Sequence, residues 1–273
     1  MGAPGRALLW GGVTAGVVKL GLSKAALLGS LVGSWGAVFM QRRRCLGLLD
    51  WVYEAVRGRD PTDVLQLSPL LREELMALVV VAPVALTELR ARPSSHLYMT
   101  DASSHTIASC RCPLPPAIAQ ELVRYTCRRG RWARLLAPAA RWQREHGLLE
   151  PTCELPAGNA DPGHEVWQGV LASLDFGDVI TQKVRRRDHI NVSEVRSTLL
   201  AESQHAACQP LSRPIEGTDS QVGLACFTKG RSSSPALNAE LRSGLPTILM
   251  AALYPSHFWE RSELNPCDDP TRD

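Results

Sequence analysis

Proline punctuates this chain and limits where regular structure can run. There are 19 prolines among 273 residues. A proline suits the first turn of a helix but removes a needed donor from a helix interior or a central strand. Ser68-Pro69 therefore reads as a helix start, with Ser68 as N-cap and Pro69 at the first helical position. The run Leu70 to Leu89 follows, with Glu73 and Glu74 in early turns where the helix dipole favours acids. Pro83 should kink or divide it. Arg92-Pro93-Ser94-Ser95 closes a mainly helical segment, residues 1–92, and opens a second domain, residues 93–273.

In that second part, His96 to Asp101 reads as a short strand ending in an acid. Thr106 to Cys112 reads as another, stopped by Pro113, Pro115 and Pro116. Ala117 to Cys127 predicts a helix, and the Pro-, Gly- and Ala-rich stretch 137–165 a long loop, so that 113–178 has the character of an insertion. Val179 to Val184 predicts a third strand. Asn191-Val192-Ser193-Glu194 opens a helix to about Ala207 in capping-box form. Ser234-Pro235 opens one to about Ser243, and Ile248 to Trp259 contains a last strand. Strands followed by helices, with acids at element ends, predict an α/β (α+β mixed) fold: a mixed sheet flanked by helices.

Residues Ala7 to Met40 are apolar and rich in small side chains, interrupted by Lys19 and Lys24. The uncharged runs Ala7 to Val18 and Ala25 to Met40 are each too short to span a bilayer. A packed helical pair broken near Gly29-Ser30 is expected, with a signal or membrane anchor as the alternative. The 45% hydrophobic content excludes a disordered chain. A net charge of +3 conceals arginine clusters at Arg42 to Arg44, at Arg128, Arg129, Arg131 and Arg134, and at Arg185, Arg186 and Arg187. Such clusters suit phosphate contacts or a solvated basic face. The eight cysteines form no Cys-x-x-Cys pair, so no zinc site is implied, and reduced thiols in cytoplasm or nucleus account for them.

Metal-assisted cleavage of a phosphodiester needs several carboxylates on one point, because Mg²⁺ takes oxygen ligands. Four acids stand where a strand ends or a helix begins: Asp101, Glu194, Asp219 and Asp268. Each has an ordinary reading too. Glu194 could close a capping box, Asp219 could be a turn acid and Asp268 part of a polar tail.

The wording around these acids is Thr100-Asp101-Ala102-Ser103, His189-Ile190-Asn191-Val192-Ser193-Glu194, Asp219-Ser220, and Asn265-Pro266-Cys267-Asp268-Asp269-Pro270-Thr271-Arg272, with Lys229-Gly230-Arg231-Ser232-Ser233-Ser234 between the last two. In this order they resemble the ribonuclease H domain of retroelement reverse transcriptase polyproteins, over about residues 97–273. Leu28-Gly29-Ser30, the basic run before Leu46 and Arg72-Glu73-Glu74-Leu75 resemble, more faintly, the end of a reverse transcriptase. No aromatic-x-Asp-Asp motif exists, so the polymerase core is missing and polymerisation is not expected.

The resemblance implies hydrolysis of the RNA strand of RNA–DNA hybrids by two Mg²⁺ ions, with Mn²⁺ as the alternative ion. Asp101, Glu194, Asp219 and Asp268 would be ligands and catalytic groups within about 4 to 8 Å of one another. The nucleic-acid contacts expected are Lys229, Arg231, Arg128, Arg129, Arg131, Arg185, Arg186 and Arg187. His189 is expected to be structural, and His257 to lie in the last strand. One departure stands out: Ser212-Arg213-Pro214-Ile215-Glu216-Gly217-Thr218 puts Pro and Gly into the strand before Asp219. It predicts a poorly placed Asp219, and with it the alternative of a catalytically decayed fragment that only binds nucleic acid.

Overall fold

The computed structural model describes residues 3–127, 148, 164–184 and 188–272. The chain begins with two helices, α1 (Ala3–Leu20) and α2 (Ala25–Phe39). They part at Gly21, whose φ of +74° ends α1, rather than at Gly29-Ser30, which lie inside α2. Between them β1 (Leu22–Lys24) pairs antiparallel with β2 (Val64–Gln66), so the segment read as helical also carries a small ribbon. A 3₁₀ turn (Arg43–Leu49) leads into α3 (Asp50–Val56). Helix α4 (Pro69–Val81) starts as predicted, the Ser68 hydroxyl accepting from Leu71 N–H at 3.2 Å. It ends before Pro83, which has no N–H to continue the ladder.

The buried core of this unit contains Leu28, Leu31, Trp35, Phe39, Leu49, Leu75 and Leu78, and it also takes Ile248, Leu249 and Leu253 from late in the chain. No helix of the described residues is long and apolar enough to cross a membrane.

The remaining strands form one mixed sheet in the order β5-β4-β3-β6-β7. They are β3 (Arg92–Ala102), β4 (Thr106–Pro113), β5 (Gly177–Lys183), β6 (Ser212–Thr218) and β7 (Ser256–Trp259). β3 pairs antiparallel with β4 and parallel with β6; β4–β5 is antiparallel and β6–β7 parallel. β3 begins at Arg92, four residues before the predicted start. The predicted helix from Ala117 is α5 (Pro116–Leu122) with a 3₁₀ turn after it. Helix α6 (His164–Leu171) follows the largely undescribed stretch; its Trp167 stacks on Phe258 at 3.7 Å and seals one face of the sheet with Leu97, Met99 and Ile215.

Helix α7 (Ile190–Cys208) covers the other face. Residues i, i+4, i+8 and i+11 share a stripe on a helix, and on α7 that stripe is Glu194, Thr198, Glu202 and His205, all buried. Each meets a polar group of the sheet or its ends. Thr198 Oγ1 lies 3.3 Å from Thr100 Oγ1, and His205 Nε2 lies 2.7 Å from Ser212 Oγ. Glu202 is paired with Arg44 at 2.5 Å, and that guanidinium also covers the Phe227 ring at 4.7 Å. Burial raises Glu202 to about 7 and Glu216 to about 8, and lowers His257 to about 4.

The remaining elements are α8 (Gln221–Lys229), α9 (Pro235–Ser243), α10 (Leu245–Met250) and α11 (Asp268–Arg272). Arg42 and Arg44 are each only 6% exposed. Arg42 donates to the Leu253 carbonyl and covers the Tyr254 ring. This part of the basic run is therefore a tether between the helical segment and the rest, not a phosphate-contacting surface.

The strand before Asp219 is formed, contrary to the sequence expectation. Pro214 falls where β3 shifts register, between the pairs Pro93–Arg213 and Leu97–Ile215, and before pairing with β7 begins at Ile215. No ladder donor is lost there. Gly217 is a requirement rather than a defect, because a Cβ would collide with Met99 Sδ and the Phe258 ring. Gly217→Ala should lower stability by about 2 kcal/mol through overpacking, measured by urea denaturation. Arg44→Met should cost about 3 kcal/mol or more near pH 8. It should cost less near pH 5.5, where Glu202 and Glu216 can take up protons, so the two loss values separate a charge effect from a packing effect.

Candidate metal centre

The register of the parallel pair determines where two of the acids lie. Thr100 pairs with Thr218, so the next residues, Asp101 near the end of β3 and Asp219 just past β6, lie side by side at a strand spacing of about 4.8 Å. Glu194 reaches the same point from the second turn of α7. One carboxylate oxygen of each lies within 4.8 Å of the others. The N-cap of α7 is His189, whose Nδ1 accepts from Asn191 N–H at 3.2 Å. The capping-box role read for Asn191 and Glu194 is thus taken by His189, and Glu194 is left for the cluster.

Neighbouring side chains hold the acids in place. Thr271 Oγ1 donates to Asp101 Oδ2, and Ser262 Oγ donates to Asp219 Oδ2 at 2.5 Å. Trp259 Nε1 fixes the Asp219 carbonyl at 2.8 Å. The Asn-Pro-Cys segment fastens α11 to β3: Asn265 Nδ2 donates to the Thr100 carbonyl at 3.0 Å and Cys267 Sγ to the Met99 carbonyl at 3.1 Å. Thr271, Ser262 and Trp259 were not singled out from the sequence. Only Thr271 carried a signal, as part of the last motif.

Two oxygens in this cluster, Glu194 Oε2 and Asp219 Oδ1, are buried without a hydrogen-bond partner. Buried polar atoms are rarely left so. Burial, followed by the charges of Asp219 and Asp101, pushes Glu194 up to about 9. Burial raises Asp101 as well; the Thr271 hydrogen bond opposes it and the Asp219 charge adds to it. Three carboxylates, two of them with an orphaned oxygen, fit a hard divalent cation, which would satisfy those atoms and remove the repulsion.

Asp268 stands beside the cluster, not in it. It opens α11, its Oδ1 accepts from Arg272 Nη2 at 2.7 Å, and its charge helps raise Asp101. Lys229 ends α8, and the Arg231 guanidinium lies over the Tyr53 ring at 5.2 Å. Arg128, Arg129, Arg131, Arg185, Arg186 and Arg187 lie outside the described residues. A second group, Glu202, Glu216 and His257, also comes within 4.8 Å, and the sequence did not suggest it. It is closed to solvent, and the Arg44 guanidinium supplies its positive charge.

The raised Glu194 means that the folded state binds more protons than the unfolded one between about 4.5 and 9. Metal-free stability should therefore fall as pH rises through that window. Glu194→Gln should remove the penalty and raise the melting temperature by on the order of 3 °C near pH 8 in chelator. Added Mg²⁺ or Mn²⁺ should stabilise the parent chain and leave this variant almost unchanged. Thermal melts across pH, with and without the ions, measure both effects. No protein-family model matches the chain, and no curated protein is detectably similar to it, so the functional reading rests on the acids and the motifs around them.

Proposed function

We propose that Asp101, Glu194 and Asp219 hold divalent metal, Mg²⁺ or Mn²⁺, for hydrolysis of the RNA strand of an RNA–DNA hybrid. The chain would then be a ribonuclease H-like piece of a retroelement reverse transcriptase. The observation that supports this most strongly is the meeting of three acids from three separate motifs at the ends of β3 and β6 and the first turns of α7. The metal when bound would activate a water and stabilise the leaving oxygen, without a covalent intermediate.

The residues of the chain do the rest. Thr271 and Ser262 fix the rotamers of Asp101 and Asp219. Glu194, protonated through neutral pH in the free protein, gives up its proton when it becomes a ligand, so metal binding should tighten as pH rises. A hybrid is recognised by shape and 2′-hydroxyls rather than by sequence, which suits dispersed basic contacts. A decayed, binding-only fragment was suggested by a broken strand before Asp219, and that strand is intact.

A hybrid-cleavage assay tests the reading. The parent chain should cleave the RNA strand with Mg²⁺ or Mn²⁺ and not in chelator. Asp101→Asn and Glu194→Gln should each lose about 100-fold or more, and Thr271→Val about 10-fold, as expected for a group orienting a ligand. Equal cleavage by parent and Asp101→Asn would refute the assignment. Hybrid binding without cleavage by the parent would favour the decayed fragment.

A further inference from the structure

A groove of about 1260 Å³ runs between α3 and the α8–α9 pair. Its head lies beside the start of α8, two residues after Asp219, and Asp101, Glu194 and Asp219 themselves do not line it. From there it follows α8 for about 12 Å, at 1.5 Å per residue, to Lys229 and Arg231. The α3 wall presents Trp51 and Tyr53, 43% and 38% exposed, and the α8 wall presents Val222 at 41%. Large apolar side chains left open on one concave surface mark a binding site more often than chance exposure does.

The charges in the groove divide unevenly. Arg242 is paired with Asp50 at 3.2 Å, and Arg57 with Glu54 at 3.2 Å. Lys229 and Arg231 have no acid at ion-pair distance among the described residues, and Arg231 is instead held over Tyr53. Two cations without an ion-pair partner, beside the exposed Trp51 ring and a Tyr53 ring that Arg231 covers on one face, suit a chain of alternating phosphates and flat bases, and single strands are bound in this way without sequence preference. A duplex keeps its bases stacked inside and would leave Trp51 and Tyr53 without partners.

We propose that this groove binds a single strand of nucleic acid running on from the acid cluster, with bases stacked on Trp51 and Tyr53 and phosphates on Lys229 and Arg231. The proposal deepens the hybrid-cleavage reading and rests on it for the direction of the strand. Under that reading, the strand is a single-stranded tail of the hybrid being cut.

Fluorescence anisotropy with the whole chain tests the groove, using a labelled oligodeoxythymidine, an oligouridine, and hybrids with and without a single-stranded tail. Both single strands should bind, and a tailed hybrid should bind about 10-fold more tightly than a blunt one. Trp51→Ala should lose about 10-fold in single-strand affinity, the size of one lost base–aromatic stack. Trp51→Phe should recover most of it, which separates stacking from misfolding. Lys229→Glu should lower the slope of log affinity against log salt by about one. No binding of either oligonucleotide, an affinity indifferent to Trp51→Ala, or competition by polyglutamate as effective as by oligonucleotide would overturn the groove assignment. Cleavage of a blunt hybrid with no single-strand binding would sink the groove and leave the nuclease. Single-strand binding that depends on Trp51, in a chain that cleaves nothing, would sink the nuclease and leave the groove.

Discussion

The contact between α7 and the sheet is charged where such contacts are usually hydrocarbon, and much of the architecture follows from accommodating that. Glu202 and Glu216 are buried together beneath interior strands, and one guanidinium from the helical segment lies at 2.5 Å from Glu202. Removing one partner of a buried pair costs far more than the pair contributes. Arg44 therefore has to reach the sheet, and the 3₁₀ turn carrying it must dock closely. Gly230 permits that approach, since a side chain there would collide with the Arg43 backbone. The same stripe of α7 ends at Glu194, so the placement of the outermost acid depends on how the buried ones are satisfied.

Much of the fold was legible because prolines, caps and strand-like runs are local signals. Ser68-Pro69 and Ser234-Pro235 opened helices where expected, and the strands from Thr106 and near Val179 formed. Misread positions were those where a distant contact overrides the local rule. Gly217 looks like a weak point in a strand until Met99 and Phe258 are seen to need its space. Arg42 and Arg44 look like a solvent-facing basic run until the Leu253 carbonyl and Glu202 are seen opposite them.

The candidate centre was legible in the same uneven way. Asp101, Glu194 and Asp219 each stand beside a local signal: a strand end, a helix start, a short polar turn. Their meeting depends on the Thr100–Thr218 register, which no local pattern encodes. Asp268 shares a motif with the others but stands outside the three-acid group, paired with Arg272 four residues along its own helix. The groove aromatics were invisible for a different reason. Trp51 and Tyr53 belong to a helix far from α8 in sequence, and two aromatics in a short helix are ordinarily core.

The hydrophobic cluster beneath α1 to α4 is completed by Ile248, Leu249 and Leu253. During synthesis the helices α1 to α4 leave the ribosome long before those three side chains exist. Domains usually fold as units in order of emergence, but this segment lacks part of its own interior until residues 248–253 have been made. Its exposed apolar helices must wait, sheltered by chaperones or by one another, and any nascent chain stopped before α10 would carry an open, adhesive face.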